Sequence, residues 1–250
     1  MLTKDDLKNF LSVTGFNIWQ IEKDYLQHLF LLFLSKNTKD ELVFKGGTAL
    51  QKIYALNRFS TDLDFTMQKP IEDKIMQKIV EDISLFGFNS NYKKEKENLS
   101  LAFKLKINGP LYDVTEKTIS TLLIEISKRE KVLLKPETKE IVPIYSDLQP
   151  YTVLIMQLEE ILAEKIRAIM TRSKARDVYD LWFLLKRGVV FDKDLANKKL
   201  KFYNKSFNKK LLISNISAIE GVWESELKPL VTFVPDFKTV YKQIKESING

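Results

Sequence analysis

A strand, a Gly-Gly turn and a helix follow one another in residues 42–56 and constrain the fold more than any other part of the chain. Leu42-Val43-Phe44 predicts a short strand, Lys45-Gly46-Gly47-Thr48 a turn, and Ala49 to Leu56 a helix. Glycines let a ligand approach the backbone closely, and a helix N-terminus offers free N–H groups and a positive dipole end to a phosphate. The turn is not a Walker loop, because the Gly-Lys-Ser/Thr spacing is absent. The segment is compatible with a phosphate-binding turn or with a purely structural one.

Two aspartates lie on the next predicted strand, Thr61 to Met67. Asp62 and Asp64 point to one face of that strand, since side chains alternate along it. Two aligned carboxylates repel each other unless a cation lies between them, and oxygen-only ligation selects Mg²⁺ or Mn²⁺. Because this Asp-x-Asp strand follows the Gly-Gly turn by one helix, we favour a metal site over a solvent-facing edge strand.

Further candidate side chains occur later in the chain. Glu125 is a lone acid in an apolar strand and needs a partner, either a Lys or Arg side chain or the same metal. Lys165 has apolar helical neighbours, so its ammonium either faces an anion or extends to solvent along its stem. Asp177 and Asp180 flank the apolar stripe of the following helix, and Asp180 has Arg176 one turn away as a potential ion-pair partner.

Strand patterns end near Pro150 and helical patterns follow, which predicts an α+β portion and then a helical one. We expect domains at residues 1–148 and 149–250 that pack into one body. The predicted helices before residue 149 are a short one after the capping box of Thr3 and Asp6, then 17–35, 49–56 and 71–86. The predicted strands are 42–44, 61–67, 99–107, 121–127, 131–134 and 140–145. The predicted helices after it include 153–170 and 175–186.

Composition excludes several kinds of chemistry. The chain has no cysteine and a single histidine, His28, which excludes thiolate-based sites and argues against histidine-based metal or triad chemistry. Lys and Arg number 40 against 33 Asp and Glu, giving a net charge of +7 that favours an anionic partner such as nucleic acid or nucleotide phosphate. The most apolar run, 25–34, is about half the length that a membrane span needs. With no signal segment evident, we expect a cytoplasmic protein without a membrane partner.

These motifs, taken in order, resemble a known family. A Gly-Gly-hydroxyl turn, a helix, an Asp-x-Asp strand and a later strand acid are similar to the nucleotidyltransferase superfamily of DNA polymerase β type. Four motifs narrow this to the AbiEii/AbiGii toxins of toxin–antitoxin and phage-abortive-infection loci: Lys45-Gly46-Gly47-Thr48-Ala49-Leu50, Arg58-x-Ser60-x-Asp62-Leu63-Asp64-Phe65, Glu160-x-x-x-Glu164-Lys165 and Arg176-Asp177-x-x-Asp180-Leu181.

The resemblance implies a fold and a set of roles. The first domain would be a nucleotidyltransferase-like α+β domain with a mixed β-sheet core, and a C-terminal helical bundle would contribute Lys165 and Asp177 to its site. Asp62 and Asp64 would bind catalytic metal, and Glu125 matches the third strand acid of the superfamily. Nucleotide contacts would come from the following residues: Lys45, Gly46, Gly47, Thr48, Arg58, Ser60 and Lys165. Asp177 would complete the catalytic set, with Asp180, Glu164 and Arg176 as secondary candidates.

The implied reaction is metal-dependent transfer of a nucleotide from an NTP to an acceptor hydroxyl, with release of pyrophosphate. Mg²⁺ or Mn²⁺ would be the cofactor, RNA such as a tRNA 3′ end the acceptor, and a cognate antitoxin a partner. For the acceptor we also note basic residues in the second half of the chain, Lys198, Lys199, Lys201, Lys205, Lys209 and Lys210 among them. Two alternatives stay open: transfer to a protein or a small molecule such as an antibiotic, and a non-catalytic nucleotide- or RNA-binding module.

Overall fold

The computed structural model describes residues 1–72 and 74–248, and the chain forms two compact units. The first unit comprises Met1–Ala55, Phe59–Val132 and Pro136–Ile155. The second comprises Leu56–Arg58, Leu133–Lys135 and the chain from Met156 onward. Two short segments of the first half thus belong to the second unit, whereas the sequence predicts a single division between residues 148 and 149.

A seven-stranded mixed sheet organises the first unit, in the order β3-β4-β5-β2-β1-β7-β6. The pairs β1·β7 and β2·β5 are parallel and the other neighbouring pairs are antiparallel. The helices are α1 Lys4–Lys8, α2 Leu11–Thr14, α3 Ile18–Asn37, α4 Gly46–Tyr54 and α5 Ile75–Phe86, with a 3₁₀ turn at Glu116–Thr118. The strands are β1 Leu42–Lys45, β2 Asp62–Met67, β3 Ser90–Lys96, β4 Ser100–Ile107, β5 Ser120–Ser127, β6 Glu137–Ile141 and β7 Tyr151–Ile155.

One face of the sheet is buried against α3 and α5. Helix α3 begins with a capping box in which Asn17 and Gln20 satisfy each other's backbone N–H groups. Its apolar residues join those of α5 and of the inward faces of β2, β4 and β5 in one core. Burial alternates along β5, where Ile124 is buried and its neighbour Leu123 is exposed. The side chains of β2, β4 and β5 that point away from this core therefore form the opposite face of the sheet.

The second unit is helical. Its helices are α6 Leu158–Thr171, α7 Ala175–Lys186, α8 Lys193–Lys201, α9 Lys209–Ser217, α10 Trp223–Leu227 and α11 Phe237–Ser247, with a 3₁₀ turn at Glu220–Val222. A mixed sheet with helices, followed by helices alone, confirms the α+β class. Among the described residues, no helix has both the length and the apolar character of a membrane span.

Two strand predictions differ from the structure, and one strand was not predicted. The segment 131–134 is a loop, because the N–H groups of Leu133 and Leu134 donate to the buried carboxylate of Glu160 instead of to a strand. Strand β6 ends at Ile141 instead of Tyr145. Strand β3 was not predicted, because its Lys-rich sequence shows almost no apolar alternation and it lies at the edge of the sheet.

The prediction that strands stop at Pro150 is wrong. Residues Tyr151–Ile155 form β7, which pairs with β6 and with β1. Tyr-Thr-Val-Leu-Ile is rich in aromatic and β-branched residues, which fit a pleated strand. The helix predicted from Val153 therefore begins only at Leu158, after Gln157 as its N-cap residue.

Candidate active site

The Gly-Gly turn and the Asp-x-Asp strand are in direct contact. Helix α4 begins at Gly46, whose φ of +76° lies in the left-handed region. A Cβ atom at this position would lie 2.6 Å from Asp64 Oδ2. The antiparallel pairing of β1 with β2 sets Lys45 opposite Asp64 and so creates this approach. Thr48, two residues into α4, donates a hydrogen bond from its hydroxyl to the carbonyl oxygen of Asp62.

Asp62 and Asp64 share the face of β2 that points away from the core, as predicted from their spacing, and both are half-buried. Lys23, half-buried on α3, lies close enough to Asp62 to interact with it electrostatically. Burial lowers the pKa of Lys23, and the Asp62 carboxylate acts in the opposite direction. The sequence analysis did not identify Lys23. Other polar residues lie one turn away on the same helix, so this lysine does not stand out from its neighbours.

Glu125 lies beside this pair. The parallel register of β2 with β5 sets Asp64 opposite Glu125, so both side chains occupy the same face. The Glu125 side chain is 54% exposed and its Oε1 lies 4.0 Å from Lys96 Nζ. Within residues 1–72 and 74–248, no three His, Cys, Asp or Glu side chains are gathered closely enough to form a metal cluster. The structure thus brings two carboxylates together at the turn, and metal binding by Glu125 stays a prediction.

Two glutamines fix the backbone just before the Asp-x-Asp strand. Gln27 Nε2 donates to the carbonyl oxygens of Ser60 and Thr61 at 2.9 and 3.1 Å. Gln51 Oε1 accepts from the Ser60 N–H at 2.7 Å, and Gln51 Nε2 donates to Asp24 Oδ1 at 3.0 Å. The candidate nucleotide contact Ser60 is therefore held through its backbone. The sequence analysis missed both glutamines. Gln27 could have been identified, because it is a polar residue inside the apolar run of α3.

Asp24 centres a buried polar network between α3 and α4. Its carboxylate accepts from Lys52 Nζ and from the Tyr145 hydroxyl, both at 2.9 Å. Burial opposes ionisation, but the Lys52 ammonium holds the pKa of Asp24 below its ordinary value. His28 Nδ1 lies 2.8 Å from the Tyr151 hydroxyl, and burial lowers the pKa of His28 to about 3. The single histidine is therefore a neutral part of this network.

Lys45, predicted to contact the nucleotide, has a buried partner. Its Nζ lies 3.0 Å from Glu130 Oε2, and both residues are more than 90% buried. The ion pair ties the end of β1 to the segment that follows β5.

In the second unit, Lys165 faces two carboxylates. Its Nζ lies 2.6 Å from Asp180 Oδ2 and 3.2 Å from Asp177 Oδ1. Arg58 donates to both oxygens of Asp180 at 2.6 and 2.7 Å, and Arg172 Nε lies 3.0 Å from Asp177 Oδ2. Asp177 is fully buried, which raises its pKa, but Lys165 and Arg172 together hold that pKa well below its ordinary value.

This cluster supplies the anions that the position of Lys165 requires. The sequence offers Arg176, one turn away, as a potential partner of Asp180; the structure pairs Asp180 with Arg58 and Lys165 from outside α7. Arg58, expected to assist nucleotide binding, is 3% exposed and makes a two-pronged ion pair. Because Arg58 and Asp180 are buried and paired with each other, they contribute to the stability of the fold in addition to any nucleotide contact.

Glu164, a secondary candidate, belongs to a second buried cluster. Lys199 is fully buried, and its Nζ lies 2.6 Å from Glu160 and 2.9 Å from Glu164. Lys199 therefore holds α8 against α6 and is not one of the surface cations expected to meet RNA, unlike its exposed neighbour Lys198. Sequence alone did not separate these two lysines, because they are adjacent and identical.

Comparison with known proteins identifies the family and the fold. A family model described as "Nucleotidyl transferase AbiEii toxin, Type IV TA system" matches residues 31–243. The structure is similar to the nucleotidyltransferase toxin MenT4 of Mycobacterium tuberculosis, with a TM-score of 0.71 and 20% identity over 99% of this chain and 88% of that one. It is also similar to JHP933 of Helicobacter pylori, with a TM-score of 0.61 and 22% identity over 94% and 92% of the two chains. A putative nucleotidyltransferase of H. pylori gives a TM-score of 0.59 and 23% identity over 90% and 92%. Among curated protein sequences, none matches significantly.

Proposed function

Because the chain belongs to the AbiEii nucleotidyltransferase toxin family of type IV toxin–antitoxin systems, we propose that it transfers a nucleotide from an NTP to RNA in a metal-dependent reaction. The observation that carries the proposal is the contact between the turn and the acid pair, where Gly46 leaves no room for a side chain beside Asp64. A phosphate-type turn and a carboxylate pair at this distance are what a nucleotide triphosphate with its bound cation requires.

Asp62 and Asp64 fit a magnesium ion. They supply only oxygen ligands from one strand face, and Mg²⁺ in nucleotide sites is bound by one or two carboxylates together with substrate phosphates. Gly46 has no Cβ, and only a residue without a side chain lets the turn approach Asp64 Oδ2 this closely, since a Cβ would lie 2.6 Å from it. The ion, when bound, would neutralise charge on the phosphates. Glu125, opposite Asp64 in the register, is our candidate for a third ligand.

The start of α4 is our candidate for the triphosphate site. The backbone N–H groups of Gly46, Gly47 and Thr48 are in the first turn of that helix, where they lack intrahelical acceptors. The Thr48 hydroxyl fixes β2 through Asp62, so its contribution to phosphate binding would come from its N–H group. In the reaction, an acceptor hydroxyl forms a bond to the α-phosphorus, the bond to pyrophosphate breaks, and the hydroxyl proton passes to solvent.

Lys165 and Asp177 are proposed as functional residues on the family pattern. We expect Lys165→Met to weaken NTP binding by about 1.5–3 kcal/mol, the scale of a hydrogen bond to a charged group. Isothermal titration with a nonhydrolysable NTP measures this effect. An unchanged affinity would remove Lys165 from the site.

The acceptor and the partner rest on the family and on charge. RNA is proposed because of the net charge of +7 and because the resemblance is to enzymes linked with tRNA 3′ ends. The family also implies a cognate antitoxin. Transfer to a protein or to a small molecule is the alternative acceptor class.

One assay tests the reaction. The purified chain is incubated with each labelled NTP, Mg²⁺ and total RNA, and with cell protein in a parallel reaction. We expect label in RNA that disappears with Asp62→Asn or Asp64→Asn and with a chelator. Glu137→Gln, an exposed carboxylate on β6 of the same sheet, is the matched control and should keep full activity. Label in protein alone would overturn RNA as the acceptor, and no label in any fraction would overturn the proposed transfer.

A further inference from the structure

The sheet face that carries Asp62 and Asp64 extends over three more strands, β5, β4 and β3. On all of them it is the face that points away from the core. Pairing runs from Asp62 to Leu123 on β5, from Leu123 to Lys104 on β4, and from Lys104 to Lys93 on β3. Residues paired across neighbouring strands point to the same face, and on β4 and β5 the residues on either side of this row belong to the buried core. All four side chains of the row therefore lie on the outer face of the first unit.

A second row runs parallel to the first. Thr121 on β5 pairs with Lys106 on β4, and Lys106 pairs with Asn91 on β3. Because residues two apart in a strand are separated by about 7 Å, the two rows lie that far apart. Lys93, Lys104 and Lys106 therefore form a basic cluster on β3 and β4, which we call the sheet-face lysines.

These lysines are available to a ligand. Lys93 is 77% exposed at its side chain, Lys106 is exposed and Lys104 is half-buried. Lys93 has one carboxylate near it, Glu95 at 3.5 Å. Within the described ranges, Lys104 and Lys106 have no ion-pair partner. Between them and the acid pair lies Leu123, an apolar side chain that is 43% exposed.

The spacing of charge along the face discriminates among acceptors. Neighbouring strands are about 4.8 Å apart, so Lys104 lies about 10 Å and Lys93 about 14 Å from Asp62 across the sheet. An acceptor that reacts at Asp62 and also contacts Lys104 and Lys93 must carry negative charge more than about 10 Å from its reacting hydroxyl. A nucleic-acid strand carries a phosphate at every nucleotide, whereas a compact small molecule does not extend this far.

We propose that this face binds the acceptor strand: the sheet-face lysines contact successive phosphates of single-stranded RNA, and Leu123 packs against a ribose or base near the reacting end. The proposal rests on the proposed function, since it takes Asp62 and Asp64 as the place of reaction. On β3 and β4, the sheet-face lysines neutralise phosphates of the RNA. The carboxylates on β2 and β5 lie at the opposite side of this face, where transfer occurs.

The test measures RNA binding separately from catalysis. A fluorescein-labelled single-stranded RNA of 12 nucleotides is titrated with the full chain by anisotropy over a salt series. For single strands, log K falls by about 0.7 per phosphate contact for each tenfold rise in salt. The variant Lys93→Gln/Lys104→Gln/Lys106→Gln should therefore lose about 2 from that slope and about 100-fold in affinity at 0.1 M salt.

The control variant carries the same change of charge elsewhere on the first unit, Lys4→Gln/Lys39→Gln/Lys117→Gln, at three exposed lysines. It should keep the wild-type slope and nearly the wild-type affinity. Both triple variants should keep the wild-type melting temperature and the wild-type affinity for NTP with Mg²⁺. Lys106→Gln alone should lower the slope by about 0.7, which checks the effect in a less altered protein.

The outcomes separate the two proposals. If the wild-type chain labels RNA and the two triple variants bind the oligonucleotide equally, the sheet face is not the acceptor site, while the transfer proposal stands. If the wild-type chain labels only protein, RNA fails as acceptor and the sheet-face proposal fails with it. If the sheet-face variant shows a weaker salt dependence of RNA binding and keeps its affinity for NTP, the result supports the sheet face as the acceptor site.

Discussion

Replacing Gly46 by alanine tests the contact between the turn and the acid pair. At φ +76° an alanine costs about 1–2 kcal/mol of backbone strain, which lowers Tm by about 2–8 °C for a chain of this size. In addition, the new Cβ would lie 2.6 Å from Asp64 Oδ2, whereas ordinary contacts begin at 3.4 Å, so the carboxylate must move by about 0.8 Å to reach an ordinary contact. A displacement of about 1 Å in a catalytic group costs about 100-fold in rate.

Gly188 provides the matched control for this prediction. Its φ is +85°, close to that of Gly46, but a Cβ there meets no atom within 4 Å. Gly188→Ala should therefore show the same loss of Tm with unchanged nucleotide transfer, and Gly46→Ala should lose about 100-fold in kcat/KM. The two melting curves and the labelled-NTP assay measure these effects. Activity of Gly46→Ala within twofold of Gly188→Ala would refute the reasoning, because it would mean that the position of Asp64 does not matter.

Three further predictions concern buried ionisable side chains. Lys199→Met leaves two buried carboxylates without their cation and should cost about 3–5 kcal/mol in urea unfolding, whereas Lys198→Met at the exposed neighbour should change stability by less than about 0.5 kcal/mol. Because His28 has a folded pKa of about 3 against 6.5 unfolded, only the unfolded chain gains its proton as pH falls below 6.5. The free energy of unfolding should therefore decrease by up to about 1.4 kcal/mol per pH unit between pH 6.5 and 4.5, and His28→Gln should remove that slope. Asp180→Asn should cost about 3–5 kcal/mol, and a double-mutant cycle with Arg58→Met should give a coupling above about 1 kcal/mol; additive effects would contradict the two-pronged ion pair.

The local structure of the candidate site in the first unit could be predicted from sequence because its signals are local. The strand, the Gly-Gly turn and the alternation of Asp62 with Leu63 each depend on a few neighbouring residues, and the structure follows them. Glu125 could be identified only as a strand acid that needs a partner. Its place opposite Asp64 depends on a parallel register between β2 and β5, which no local pattern specifies.

Burial and long-range pairing could not be predicted in the same way. Lys198 and Lys199 are adjacent and identical, yet one is exposed and the other fully buried, since the difference lies in which face of α8 meets Glu160 and Glu164. Strand β7 was taken for the start of a helix because its apolar run continues directly into α6. A short apolar run fits a buried strand and a buried helix equally well.

The cluster around Lys165 joins its structural and its proposed functional contributions. Two carboxylates, Asp177 and Asp180, face three cations, Lys165, Arg58 and Arg172, so the formal charge of these five groups is +1. Each carboxylate has an arginine of its own, and Lys165 bridges the two. Removing Asp180 would take away the carboxylate to which the buried Arg58 donates two hydrogen bonds, which is costly, whereas removing Lys165 leaves each carboxylate paired with one arginine. Lys165 is thus the cation in excess within the cluster, and its surplus charge is what a phosphate would meet. For the same reason Lys165→Met should stay folded, and its effect on NTP binding reports on that surplus charge.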